Sequence, residues 1–283
     1  MKRRRFLALS AAALCLPAAA ARIEPVRWSG FALGAEVSMT LRAPRPVAEA
    51  AIAAALSDID AVERAFSLYR PDSELVRLNT TGTLAPFPLF SELLDHVDRA
   101  HSLTGGVFDP TVQSAWADIA EGRAPDLTPL GWHKIARAPD AITLGPGQQL
   151  TFNGIAQGFA TDRVRATLLA HGLGDILVDI GEFAASGGPW RLGIADPTHG
   201  LVARTTLTTG AIATTSAAPH LIDPRGRAPR HATVSIEAPD ATLADALSTA
   251  CLFLPPASIA RICHRAGAGP AHVIDAQGRH RLL

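Results

Sequence analysis

Apolar positions along the chain change period several times, and each change marks an element. From Pro46 onwards, Ile52, Leu56, Ile59, Val62 and Phe66 recur at helical spacing, which places them on one face that has to pack against a sheet. The run at 37–41 just before it reads as a strand. Residues 67–72 break the helix, and Asp72 is placed to cap a short helix running towards Asn79. Leu93, Leu94, Val97 and Leu103 repeat the helical spacing, and Gly105-Gly106 supplies its stop.

Beyond Trp116 the pattern is mixed. Strands are expected at 141–144, 176–180, 191–194, 205–207, 233–237 and 271–274, with helices near 156–171, 243–253 and 257–266. Strands and helices do not alternate regularly. The pattern therefore predicts an α+β single domain over residues 22–283, with a mixed or antiparallel sheet and flanking helices, and argues against a doubly wound parallel sheet. The Gly- and Pro-rich stretches near 122–129 and 187–189 read as loops.

The first residues differ from all that follows. Lys2 to Arg5 are basic, residues 8–16 are apolar, and small residues end the run at Ala21. That is the order of a cleavable signal peptide, expected at 1–21, and the paired arginines before Phe6-Leu7 match the twin-arginine type. The mature protein is expected to be periplasmic, with no stable membrane insertion. Leu14 before Cys15 argues against a lipid anchor, and cleavage leaves only Cys251 and Cys263, too few for a disulfide framework.

Composition narrows the partners. With 48% hydrophobic residues in 283, a large core can be buried. Lys plus Arg and Asp plus Glu are equal at 26 each, so no global field recruits nucleic acid, and an anionic ligand must be gripped locally.

Familiar nucleotide-loop, zinc-protease and serine-elbow motifs are absent from the sequence. Four dispersed segments carry the candidate chemistry. Residues 104–111 set Asp109 beside Val107 and Phe108 after two glycines, where Asp109 is either part of a site or the N-cap of a following helix. Residues 151–162 turn a strand end into a helix start bearing Asn153, Gly154, Gln157 and Gly158, a place suited to phosphate or simply a capped helix. Residues 211–226 place a hydroxyl cluster before His220, which offers a general base, a phosphate donor or a structural imidazole. In 243–251, Asp245 and Thr249 share one helix face amid apolar neighbours; they need either a hydrogen-bonded partner or a hard cation such as Mg²⁺.

In order and spacing these four segments resemble the ApbE family of FAD:protein FMN transferases, and the resemblance extends through 31–41, 67–79 and 177–181. It implies an enzyme that moves FMN from FAD to a Thr or Ser hydroxyl of an acceptor protein, releasing AMP, with Mg²⁺ as cofactor. It also implies roles: Tyr69, Val107, Phe108, Asp109, Thr151, Gln157, His220 and Leu221 contact FAD, Gly154 (through its carbonyl), Asp245 and Thr249 hold Mg²⁺, and His220 and Asp245 act in catalysis. The acceptor is expected to face the periplasm, as respiratory components do. Thr151 stands where the family usually has Asp, and Gln157 where it has Lys or Glu, so charge is removed near the flavin. A flavin-binding accessory protein without transferase activity and an FAD pyrophosphatase are the alternatives.

Overall fold

A computed structural model describes residues 24–283, so the leader read at 1–21 lies outside the described residues. No helix among the described residues is long and apolar enough to cross a membrane. In chain order the elements are β1 (Val26–Ala32), β2 (Ala35–Leu41), α1 (Arg45–Phe66), α2 (Glu74–Thr81), β3 (Thr83–Leu84), α3 (Pro88–Thr104), α4 (Gln113–Ala120), β4 (Ala136–Arg137), β5 (Ile142–Thr143) and α5 (Ala156–Ala170). There follow β6 (Ile176–Asp179), β7 (Phe183–Ser186), β8 (Trp190–Asp196), β9 (Gly200–Leu207), β10 (Gly210–Ser216), β11 (Thr233–Ala238), α6 (Ala241–Cys251), α7 (Pro256–Ala266), β12 (Ala271–Ile274) and β13 (His280–Leu282).

Eight strands form one sheet in the order β1-β2-β6-β7-β10-β11-β12-β13, and every neighbouring pair is antiparallel. One face carries the helical layer. There Phe66, Phe90, Phe152 and Phe159 meet at ring-centroid distances of 5.2 to 6.0 Å, mostly edge to face, the geometry aromatic quadrupoles prefer. The other face is covered by the β8–β9 hairpin, whose Trp190, Leu192, Ile194 and Leu207 pack with Ala185, Ile212 and Ile274 of the sheet.

The long periodic helices form as the sequence predicts. α1 buries Ile52, Ile59, Val62 and Phe66, and α3 ends at Gly105 in the left-handed conformation, φ 60°. The cap of α2 is different: Ser73, not Asp72, is the N-cap, and its hydroxyl accepts from Val76 N at 3.1 Å. Asp72 is instead drawn towards the Arg70 guanidinium, which holds its carboxyl below the usual range. Strands β1, β3, β4, β7, β10 and β13 and helix α4 are additional to those expected. The β1–β2 turn uses Leu33 at φ 50° and Gly34 at φ 78°. A branched side chain in the left-handed region is strained, and the turn is held by Leu33 N–H donating to Glu63 Oε1 of α1 at 2.7 Å.

Candidate functional site

The site begins where α5 and α6 cross. A Cβ on Gly158 would lie 2.3 Å from the Ala241 carbonyl oxygen, so only glycine permits this approach. The N-terminus of α6 is fastened to α5 through Asp162, which accepts from Ala241 N at 2.9 Å, Thr242 N at 2.8 Å and Thr242 Oγ1 at 2.7 Å. Asp240 caps the same turn by accepting from Leu243 N at 2.7 Å. So anchored, α6 delivers Asp245 to the first turn of α5, where its Oδ2 accepts from Gly158 N at 3.0 Å. The helix start that the sequence offers to phosphate is thus partly taken: Gly158 N–H serves Asp245, and Ala156 N–H bonds the Phe152 carbonyl at 2.7 Å.

One turn further along α6, Thr249 faces Gly154; a Cβ at 154 would sit 3.0 Å from Thr249 Oγ1. Thr249 is steadied by Thr215 Oγ1 at 3.3 Å, which is 2.7 Å from Ser248 Oγ, and Ser248 donates to the Asp245 carbonyl at 2.9 Å. The i,i+4 pair read from the sequence therefore shares one face beside Gly154.

Opposite stands the loop 105–112. Asp109 is not a helix cap, because α4 starts only at Gln113. Its buried carboxylate accepts from Thr111 N at 3.0 Å, Thr111 Oγ1 at 2.6 Å and Trp132 N at 3.1 Å. His101 Nδ1 meets the Phe108 carbonyl at 2.9 Å. Together these bonds fix the backbone that carries Val107 and Phe108.

These walls enclose a cavity of about 290 Å³. Val107, Phe108, Asp109, Thr151, Gly154, Gln157, His220, Leu221, Asp245 and Thr249 all line it. Tyr69 is not in the wall; it is 75% exposed, and its neighbour Leu68 lines the cavity instead. His220 lies on the exposed loop after β10, which is tied back by Arg225 to the Gly105 carbonyl and braced within itself by Arg227 to Asp223.

Glu182 was not among the residues read as functional, yet it lines the same cavity and is only 6% exposed. It follows Gly181, whose φ of 85° turns the chain between β6 and β7, and its Oε2 accepts from Thr214 N at 3.0 Å. Its sequence signal is a lone carboxylate after glycine in an apolar run. Burial first, then the charge of Asp245, pushes Glu182 well above its ordinary range. Burial pushes Asp245 up to about 7 against the opposing Gly158 N–H.

The chemistry of the donor set suits a hard cation: a carboxylate and a hydroxyl converge beside Gly154, whose missing side chain leaves the space open. No Lys or Arg among the described residues lines the cavity to neutralise its carboxylates. Among the described residues no three His, Cys, Asp or Glu side chains converge as a ready-made metal cluster, so any cation here relies on hydroxyl and backbone oxygens as well.

Known proteins share this architecture. The chain is 29% identical to the FAD:protein FMN transferase of Treponema pallidum over 83% of its own length and 80% of that protein. It is 26% identical to the FAD:protein FMN transferase of Escherichia coli, over 75% and 73%. The flavin transferase ApbE of Vibrio cholerae superposes with a TM-score of 0.80 at 21% identity, covering 92% of this chain and 96% of that one. The apo flavinyl transferase ApbE of Pseudomonas stutzeri does so with a TM-score of 0.82 at 22% identity over the same shares. These two likenesses establish a common fold. The model of the ApbE family matches residues 33–272, a span that takes in both walls of the cavity, and the chain belongs to that family.

Proposed function

We propose that the chain transfers FMN from FAD to a threonine or serine hydroxyl of an acceptor protein. The acceptor oxygen attacks the FMN phosphorus, the bond to the bridging pyrophosphate oxygen breaks, AMP leaves, and the hydroxyl proton passes to a base or to solvent. The observation that carries this reading is the gathering, in one cavity, of ten residues that the family resemblance assigns to FAD and Mg²⁺, drawn from four segments far apart in sequence. Relatives named FAD:protein FMN transferase support it.

Val107, Phe108 and Leu221 give the flavin an apolar wall, and Thr151 and Gln157 offer it uncharged hydrogen-bonding groups. Asp245, Thr249 and the Gly154 carbonyl would hold Mg²⁺. When bound, Mg²⁺ supplies charge neutralisation at the pyrophosphate. His220, exposed at the cavity rim, is positioned to take the attacking hydroxyl's proton or to grip phosphate. Phosphoryl transfer depends chiefly on such positioning and electrostatics. The twin-arginine leader would carry the enzyme to the periplasm, where its acceptor is a respiratory component.

The test is mass spectrometry of a flavin-acceptor protein incubated with the mature chain, FAD and Mg²⁺, beside a sample with chelator. The expected result is covalent FMN on a hydroxyl residue in the metal-containing sample alone. Free FMN and AMP without any acceptor would make the chain a pyrophosphatase, and FAD binding with neither product would make it an accessory flavoprotein.

A further inference from the structure

The family resemblance assigns one carboxylate, Asp245, to the cation; the cavity contains a second that it does not assign. Glu182 is buried to within 6% of full coverage, and a backbone N–H from Thr214 is the one donor its carboxylate meets among the described residues. Asp245 is in the same position, with Gly158 N–H on one oxygen. Both residues line the cavity, and the second oxygen of neither is among the sealed atoms that lack a partner, so each opens on the cavity; among the described residues no Arg or Lys lines it. Two buried carboxylates near one another, each short of donors, are costly unless a cation joins them.

A purely structural role would be narrower. The β7–β10 ladder runs only from Gly210 to Ile212 on β10, so beyond it Thr214 N–H needs another acceptor, and Glu182 Oε2 provides one. That role needs a single oxygen and no charge; a glutamine would fill it. It leaves the second oxygen and the negative charge without a function.

Resting on the reading of Asp245 and Thr249 as cation ligands, we propose that Glu182 is the second carboxylate of the divalent-cation site, its free oxygen holding the cation or a water bound to it. The two carboxylates then balance the cation's two charges before any substrate enters. It follows that the cation binds the empty chain, with FAD arriving at a preformed centre.

The experiment is direct titration of the full chain, stripped by chelator, with Mn²⁺ as the probe. Free Mn²⁺ is followed by electron paramagnetic resonance, with and without FAD. Glu182→Gln keeps the Thr214 hydrogen bond and removes the charge. It is expected to weaken Mn²⁺ binding by at least about 10-fold while circular dichroism holds and the metal-free melting temperature does not fall. Glu182→Asp, which keeps the charge but withdraws it by one methylene, is expected to fall between the two and covers the case in which the glutamine variant does not fold. Mn²⁺ affinity unchanged in Glu182→Gln overturns the proposal, including when turnover is lost, since that pattern belongs to a proton acceptor. A wild-type chain that binds no Mn²⁺ in either state overturns the cation reading itself and this proposal with it.

Discussion

Two sets of carboxylates border the cavity, and their surroundings could hardly differ more. On one wall Asp109 is saturated, with three protein donors from Thr111 and Trp132. On the other, Asp245 and Glu182 meet one N–H each and, among the described residues, no lining Lys or Arg. Buried carboxylates whose lone pairs are filled from within hold structure together; those left short are kept for something that arrives from outside. All three carboxylates are buried, so the count of donors, not burial, distinguishes the two walls.

The sharpest way to break this comparison is Asp245→Asn. The amide still accepts from Gly158 N–H, so the fold should hold, while Mg²⁺-dependent FMN transfer is expected to fall by at least about 100-fold, the scale of losing a principal electrostatic group; flavin incorporation followed by in-gel fluorescence measures it. Asp109→Ala should act on stability. It strands donors at Thr111 and Trp132, and the loss is expected to be about 2–3 kcal/mol of stability, read by urea unfolding. An Asp109→Ala chain as stable as wild type would remove the contrast. The third effect concerns pH. Asp245 rises to about 7 in the folded, metal-free chain, and Glu182 also rises, whereas an unfolded carboxylate releases its proton near about 4. The folded state therefore holds more protons across that window, and stability falls as pH rises from about 4 to about 7, by at most about 1.4 kcal/mol per pH unit for each proton. Urea unfolding in chelator should show this decline, and saturating Mg²⁺ should flatten it.

Much of this was legible without coordinates. α1 and α3 declare themselves by period and by their stops, and Asp245 with Thr249 could be paired because both lie within one helix, where i and i+4 share a face. Local patterns fail where the relevant neighbour is distant in the chain. Glu182 meets Thr214 across 32 residues, a contact created by strand order, and nothing in Gly181-Glu182-Phe183 announces it. In sequence, β10 shows as a hydroxyl cluster, because Thr214, Thr215 and Ser216 suit that description as well as a strand. Asp72 lost the cap of α2 to Ser73 through competition that propensity does not weigh: Arg70 engages the aspartate, while the serine stands directly before the first helical residue. Asp109 likewise looked like a cap because it precedes proline, but the chain takes another turn before α4 begins.

Strand order has a kinetic corollary. β7, which begins directly after Glu182, and β10, which carries the hydroxyls behind Thr249, lie at the middle of the eight-stranded sheet, while its edges are β1 and the exposed β13. Fraying of a sheet starts at its edges, and opening of inner strands approaches the cost of global unfolding. Amide hydrogens of β7 and β10 should therefore exchange with solvent deuterium more slowly than those of β1 and β13, whereas the loop at 217–230 bearing His220 exchanges rapidly. Glu182 would thus stand at the end of one of the slowest-breathing strands of the molecule, and His220 on one of its fastest segments.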